Sequence, residues 1–150
     1  HLVMPHIVGK QEVPRWINEG MAIFYSGEER WKTSTALSKA LSTNSYIPLQ
    51  DIDNVLNFHR IQAELAYHES YSAIHYLLSI YDIDGLKTIL YGIRDRKALD
   101  DIFISATGSS FKAFEKEWLA FEKKSQRYYW LSEFDNYLWI LILVLEGNKK

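Results

Sequence analysis

The chain has 150 residues, of which 47% are apolar and 15% aromatic, so it is long enough and apolar enough to fold around a core of its own. Its 17 basic and 19 acidic residues are interspersed and give a net charge of −2, which offers no electrostatic footprint for nucleic acid or an anionic membrane. The absence of cysteine excludes disulfides and thiolate metal sites, so a metal ion would need His, Asp or Glu ligands.

The first predicted helix runs from Pro14 through Tyr25. Proline suits the first turn of a helix, where its missing N–H has no partner, and the Gly-Glu-Glu that follows Ser26 marks the end. A second, weaker helix is predicted within WKTSTALSKALSTN, residues 31–44. The segment YIPLQDIDN, residues 46–54, is predicted to be extended because Pro48 disfavours helical geometry at the residue before it.

Helical spacing of apolar residues dominates from residue 62 onward. A turn is predicted at DIDG, residues 82–85, a stop at Gly108, a capping serine at 109 or 110, and a separate last helix from about Arg127 to Leu145. The sequence therefore predicts an all-α fold, an irregular array or bundle of about seven helices. The main apolar stripes are Tyr67, Tyr71, Ile74, Leu78 and Tyr81; Leu86, Ile89, Leu90 and Ile93; Leu99, Ile102, Phe103 and Ala106; and Phe111, Phe114, Trp118 and Phe121.

The last predicted helix contains YLWILILVL, residues 137–145, a run of nine apolar residues. A helix needs about 20 apolar residues to span a bilayer, so this run is too short by itself. Two interpretations stay open: a core or partner-facing helix, or the beginning of a membrane anchor.

One acidic residue interrupts the apolar face of the first helix. Glu19 follows Trp16 by three residues and precedes Ala22 and Ile23 by three and four, so its neighbours on that face are apolar. A carboxylate in such a place is tolerated when it is paired, hydrogen-bonded or bound to a metal. One explanation is an ion pair with Arg15, four residues earlier, near a helix N-terminus that favours negative charge.

The other explanation comes from a resemblance. PRWINEGMAIFYSG, residues 14–27, closely resembles the Trp-x-Asn-Glu-Gly segment of the gluzincin metallopeptidases, both the aminopeptidase N family and the bacterial peptidase MA-like domains. In those enzymes zinc is held by two histidines of a His-Glu-x-x-His helix and by the Glu of Asn-Glu-Gly on the next helix. The resemblance implies that Glu19 is a zinc ligand. It also implies that His1, with seventeen residues between it and Glu19, is the second histidine of the motif.

Under this resemblance the first histidine and the general-base glutamate would precede residue 1. Because the chain begins with His1 rather than Met, we expect it to be a piece of a longer protein that starts at the end of the zinc motif. A catalytic zinc site normally uses three protein ligands, and the glutamate beside the first histidine acts as base on the zinc-bound water. We therefore expect zinc in the intact protein, and no activity and little or no bound zinc in this chain alone.

A second segment, AYHESYSAIHYL (residues 66–77), resembles the helix that follows the zinc site in these families. Tyr67 matches by position the aminopeptidase tyrosine whose hydroxyl stabilises the oxyanion. The Lys-Gly that follows in the aminopeptidases is replaced by Glu69 and Ser70, and Tyr67 also continues the apolar stripe. A core tyrosine with a satisfied hydroxyl is therefore the alternative.

The resemblance extends from residue 1 to about residue 124. GSSFKAFEKEWLAF, residues 108–121, is similar to the closing helix of peptidase MA-like domains. It implies that residues 1–124 are the helical C-terminal part of a zincin-like domain and that residues 125–150 are a further helix with the apolar segment. Membrane-associated members of the group often continue into such a segment, so the resemblance implies possible membrane anchoring and an extracytoplasmic or membrane-associated location.

The remaining histidines and the paired aspartates are predicted to be structural. His6 and His59 lack ligand spacing, and His68 and His75 are seven residues apart on one helix face without a clear third ligand. Three aspartate pairs stand at helix starts or turns, where capping is expected: Asp51 with Asp53, Asp82 with Asp84, and Asp100 with Asp101.

The sequence thus favours a fragment of a zinc-dependent metallopeptidase, with a peptide or protein as substrate and no nucleic-acid partner. Glu19 would be a ligand and Tyr67 an oxyanion donor. The alternative is a non-catalytic helical domain used for binding or scaffolding, in which Glu19 merely pairs with Arg15.

Overall fold

The computed structural model describes residues 12–27, 34–58 and 62–149, with side chains except at 128–133 and 135–136. His1, His6 and His59 lie outside the described residues. Within these ranges the chain contains helices and no strand, so the predicted all-α class is confirmed. The helices are α1 (Arg15–Ser26), α2 (Thr35–Thr43), α3 (Ile52–Phe58), α4 (Ala63–Arg94), α5 (Leu99–Thr107) and α6 (Phe111–Gly147), with a 3-10 helix at Leu49–Asp51.

The ends of several helices follow from local chemistry and agree with the predicted boundaries. Gly27 and Gly108 adopt the left-handed conformation after α1 and α5, with φ of 69° and 80°, a geometry that favours glycine. The side chains of Ser34 and Ser110 accept hydrogen bonds from the backbone N–H three residues on, at 3.1 and 3.3 Å. Of the two candidate serines before α6, Ser110 is therefore the cap.

Two aspartates cap helices other than their own. Asp53 Oδ1 accepts a hydrogen bond from the backbone N–H of Arg15 at 3.0 Å, at the start of α1. Asp100 Oδ1 accepts one from the N–H of Phe111 at 3.0 Å, at the start of α6. A carboxylate at a helix N-terminus satisfies an N–H that has no partner within the helix, and it complements the helix dipole. The capping prediction is therefore confirmed for these two residues, although each caps a neighbouring helix rather than its own.

The prediction that residues 46–54 are extended is correct only up to Pro48. The 3-10 helix begins at Leu49 and continues directly into α3. Proline restricts the residue before it and is compatible with the start of a helix, so Pro48 ends the extended stretch rather than prolonging it.

The two helices predicted on either side of residue 125 are one helix. α6 runs without interruption from Phe111 to Gly147, and the sequence has no glycine or proline between these ends to stop it. The division into residues 1–124 and 125–150 stays a prediction, and a continuous helix crosses it. In contrast, the turn predicted at 82–85 is present as a break within α4, where Asp82 has φ 54° and ψ −171°.

The core is built around α4, which packs against α1, α5 and α6. Its buried face differs from the predicted stripe: Ile74 is fully buried, whereas Tyr67 and Tyr71 lie at the margin. Helix α1 approaches this face closely at Ser70 and Ile74. The centre of the face is formed by five side chains that are all smaller than tyrosine. These residues are Ala66, Ser70, Ala73, Ile74 and Leu77.

The contact between α1 and α4 depends on Gly20. A Cβ atom on Gly20 would lie 2.3 Å from the Ser70 carbonyl oxygen and 2.6 Å from Ile74 Cγ1. Glycine therefore lets the two backbones meet. One turn before this contact, Trp16 is buried among aromatic rings of α5 and α6, with its ring centroid 6.4 Å from that of Phe103. Ile17 is buried as well.

The C-terminal part of α6 leaves this core. Every side chain from Tyr137 to Leu145 is exposed, by 36% to 68%. Among the described residues, no helix has an apolar stretch long enough to cross a membrane. The run 137–145 is therefore not part of this chain's core, and the partner-facing and anchor interpretations stay open.

Candidate functional site

Glu19 lies on α1 at the border between core and solvent. Its neighbours Trp16, Ile17 and Gly20 are buried, while the Glu19 side chain is 29% exposed. The helix is thus fixed from one side by an aromatic cluster and by a backbone contact, and it presents the carboxylate at its edge. Rigid placement on a packed helix is what a ligand or binding group requires.

The predicted ion pair between Arg15 and Glu19 is present but weak. Arg15 Nη2 is 3.5 Å from Glu19 Oε1, whereas Arg15 Nη1 donates a much shorter hydrogen bond of 2.7 Å to Asn57 Oδ1. A partly exposed pair with this geometry contributes at most about 1 kcal/mol to stability. Arg15 is thus held mainly by α3, and its contact with Glu19 leaves room for a stronger ligand.

The helices that carry Glu19 and Tyr67 meet beside both residues. Gly20 adjoins Glu19 in sequence and contacts Ser70, which follows Tyr67 by three residues on α4. Tyr67 is half-buried, so its exposure is intermediate between that of a core tyrosine and that of a fully accessible hydrogen-bond donor. Glu19 and Tyr67 therefore lie on two helices that the fold brings together.

The described residues do not by themselves form a metal centre. Within residues 12–27, 34–58 and 62–149, no three His, Asp or Glu side chains are grouped as a metal site requires. Glu19 offers a partly accessible carboxylate of the type that zinc binds, and the other predicted ligand, His1, lies outside the described residues. His68 is buried, and its Nε2 atom lies 4.0 Å from Glu64 Oε1. His75 is exposed, and its ring stacks on that of Tyr71.

A pocket that the sequence did not predict lies next to this region. It has a volume of about 530 Å³ and is lined by residues of α1, α2, α4 and α6. Ile23 and Tyr71, which line it, follow Glu19 and Tyr67 by four residues each and so lie on the same helix faces, one turn farther along.

Among the described residues that line this pocket, the one carboxyl group belongs to Glu122, on α6. Glu122 is 7% exposed, and burial raises the pKa of its carboxyl, while a hydrogen bond from Ser72 acts in the opposite direction. The Ser72 hydroxyl in turn accepts a hydrogen bond from Trp118 Nε1 at 2.8 Å. The side chains of Ser72 and Trp118 therefore hold the Glu122 carboxyl in a chain of hydrogen bonds.

Another buried carboxyl, Glu69, has a structural role. Both of its oxygens accept from the backbone N–H of Ile47, at 3.0 and 3.1 Å, and burial raises its pKa to about 8, with a smaller contribution from nearby Glu115. Glu115 Oε1 accepts from the N–H of Leu49 at 2.7 Å. Since Pro48 has no N–H, the two carboxyl groups bind the available donors of residues 47–49 and hold this connection on α4 and α6.

The family model of the Peptidase MA superfamily matches residues 1–124. Neither the curated proteins nor the solved structures include a significant match. The matched range contains the Asn-Glu-Gly segment on α1, the Tyr67 segment on α4 and the first part of α6. It covers most of the 150 residues, and the chain therefore belongs to the Peptidase MA superfamily.

Proposed function

We propose that this chain is part of a zinc-dependent metallopeptidase that hydrolyses peptide bonds in peptide or protein substrates, with Glu19 and His1 as zinc ligands. The observation that carries the proposal is the WINEG segment, residues 16–20, within a chain of a superfamily whose members are generally zinc-dependent. Its apolar residues and Gly20 anchor α1, and Glu19 stands at the edge of that helix.

Zinc bound at such a centre would polarise the peptide carbonyl and activate water. The residues of this chain would hold the zinc ion and orient the reacting carbonyl. Glu19 supplies a negative ligand from a helix that the core immobilises, and the Tyr67 hydroxyl is the candidate hydrogen-bond donor to the oxyanion. The 150 residues contain no His-Glu-x-x-His sequence, so we propose that this chain alone is inactive.

Zinc stoichiometry tests the ligand assignment. The chain and the longest natural form of the protein would be stripped of metal, reloaded and measured by elemental analysis. In the longest form we expect about one zinc per chain, falling to less than half of that in Glu19→Ala because a ligand is lost. Glu64→Ala is the matched control, since Glu64 is an exposed carboxylate on α4, and it should retain the metal.

Thermal unfolding of the metal-free variants checks that both have kept the fold. Zinc content unchanged by Glu19→Ala would show that the ligand assignment is wrong.

The second candidate is a non-catalytic helical domain for binding or scaffolding. It is favoured by the Arg15–Glu19 contact of 3.5 Å and by the absence of a three-ligand group among the described residues. The same measurement separates the two functions: a scaffold would bind no zinc in any form of the protein, and its stability would not respond to added zinc.

A further inference from the structure

The pocket containing Glu122, here called the Glu122 pocket, has aromatic walls. The rings of Phe24, Tyr71 and His75 lie together, with centroids 6.2 Å apart for Phe24 and Tyr71 and 6.1 Å for the stacked Tyr71 and His75. Phe121, from α6, also lines the pocket. Its volume of about 530 Å³ falls within the range typical of sites for small ligands or substrate side chains.

The single acidic side chain among the described lining residues is Glu122, and these residues include no lysine or arginine. The hydrogen bond from Ser72, supported by Trp118, holds the carboxyl in a fixed orientation. Burial disfavours the ionised form of this carboxyl, and a cation bound beside it would stabilise that form. Because the group is already held in place, it needs little rearrangement to bind a positively charged partner.

The combination of one buried carboxyl and several aromatic faces selects the charge of an occupant. A cation is attracted both by the carboxylate and by the ring faces, whereas an anion is repelled. A neutral apolar group would gain the aromatic contacts but would leave the carboxylate without a charged partner. The chemistry therefore fits an ammonium or guanidinium group on an apolar stem.

The place of the pocket suggests the source of that cation. Ile23 and Tyr71 stand one helical turn, about 6 Å, beyond Glu19 and Tyr67 on the same faces of α1 and α4. The pocket and the region beside Glu19 and Tyr67 are therefore neighbours along the same two helices. We propose that the Glu122 pocket binds a lysine or arginine side chain of a peptide; the peptide source rests on the proposed peptidase function, and the cation preference rests on the pocket alone.

Binding to the 150-residue chain tests both parts without metal or activity. The probes are N-acetyl-arginine amide and N-acetyl-lysine amide, the uncharged N-acetyl-norleucine amide, and free n-butylammonium, followed by NMR chemical-shift titration. We expect the two charged amides to bind about tenfold more tightly than the norleucine amide because the stem is shared and the charge differs.

Glu122→Gln removes the charge while keeping the size and an acceptor for Ser72, so it should abolish this preference. Glu146→Gln, an exposed position on the same helix, is the matched control and should preserve it. Ser125→Lys provides a second variant if Glu122→Gln fails to fold: Ser125 is exposed and lines the pocket, so the tethered ammonium should compete with the probes.

The cation preference of the pocket would be wrong if the arginine and norleucine amides bound equally. It would also be wrong if Glu122→Gln left the preference unchanged and Ser125→Lys left the affinity unchanged. Binding of n-butylammonium without the two charged amides would overturn the peptide source. Neither result bears on the zinc content of Glu19→Ala, so a failure of this inference is distinguishable from a failure of the proposed function.

Discussion

Glu69 makes the stability of the protein depend on pH. The pKa of its carboxyl rises from 4.5 to about 8 on folding because the side chain is fully buried. Between these values the folded chain keeps a proton that the unfolded chain has lost, so the free energy of unfolding falls as pH rises, by about 1.4 kcal/mol per pH unit from this group. Glu122, whose pKa is also raised, acts in the same direction.

Glu69→Gln should flatten this dependence, since glutamine keeps an acceptor for the Ile47 N–H and does not titrate. Urea unfolding of the wild type and the variant at several pH values between about 5 and 8 measures the difference in slope. Glu64→Gln, on the same helix with its side chain 77% exposed, should keep the wild-type slope. Equal slopes in wild type and Glu69→Gln would show that Glu69 is not protonated in the folded protein.

The three carboxyls of interest differ in how far the sequence revealed them. Glu19 could be singled out from the sequence because it interrupts an apolar helix face and belongs to a segment with a known resemblance, and its role as a zinc ligand stays a proposal. Glu69 and Glu122 adjoin apolar stripes in the same way, but many exposed glutamates do so as well. Their burial depends on partners distant in sequence, the Ile47 N–H and the Ser72 hydroxyl, which no local pattern encodes.

At the scale of the elements, Gly20 determines how closely α1 approaches α4. An alanine there would place its Cβ 2.3 Å from the Ser70 carbonyl oxygen, and a helix backbone cannot yield as a flexible side chain can. We expect Gly20→Ala to destabilise the protein by about 1–3 kcal/mol through overpacking, which outweighs the gain of about 1 kcal/mol in helix propensity. Thermal or urea unfolding measures the change.

The matched control is Gly147→Ala, because Gly147 is also helical and a Cβ there would meet nothing within 4 Å. This variant should be neutral or slightly more stable. If Gly20→Ala unfolds at the wild-type midpoint, the close approach of α1 and α4 is not as described. The glycine of the WINEG segment is thereby given a structural role, next to the chemical one proposed for Glu19.

The helix ends were predictable for a related reason: their signals are local. Gly27, Gly108 and Ser110 act on the backbone groups of their own helix, so the sequence around them suffices. The sequence does not predict the continuity of α6, because apolar periodicity shows where a helix packs and α6 continues after it has left the core. Its length follows from the absence of a stop signal rather than from its contacts.

At the scale of the whole molecule, the exposed apolar residues 137–145 of α6 are the surface that we expect a partner to cover. Its apolar side chains face all directions, whereas a helix that packs on one side of a protein has a polar face opposite. Tyr137 and Trp139 stand at one end of the run, and aromatic residues favour the boundary between lipid and water. We propose that residues 137–145 insert into lipid.

Flotation with phosphatidylcholine vesicles, together with sedimentation in their absence, tests this prediction. The chain should float with the vesicles, and a chain ending at residue 136 should not. Its melting temperature should stay close to the original because no described side chain after Glu122 is buried. Leu141→Arg should weaken flotation by about 2–3 kcal/mol in partition free energy, since it places a charge in the middle of the run. Glu146→Gln, beyond the run, should not weaken it. Self-association that persists with vesicles present and excludes them would instead identify the covering partner as a second copy of the chain, because helices packed on each other withdraw the same side chains from lipid.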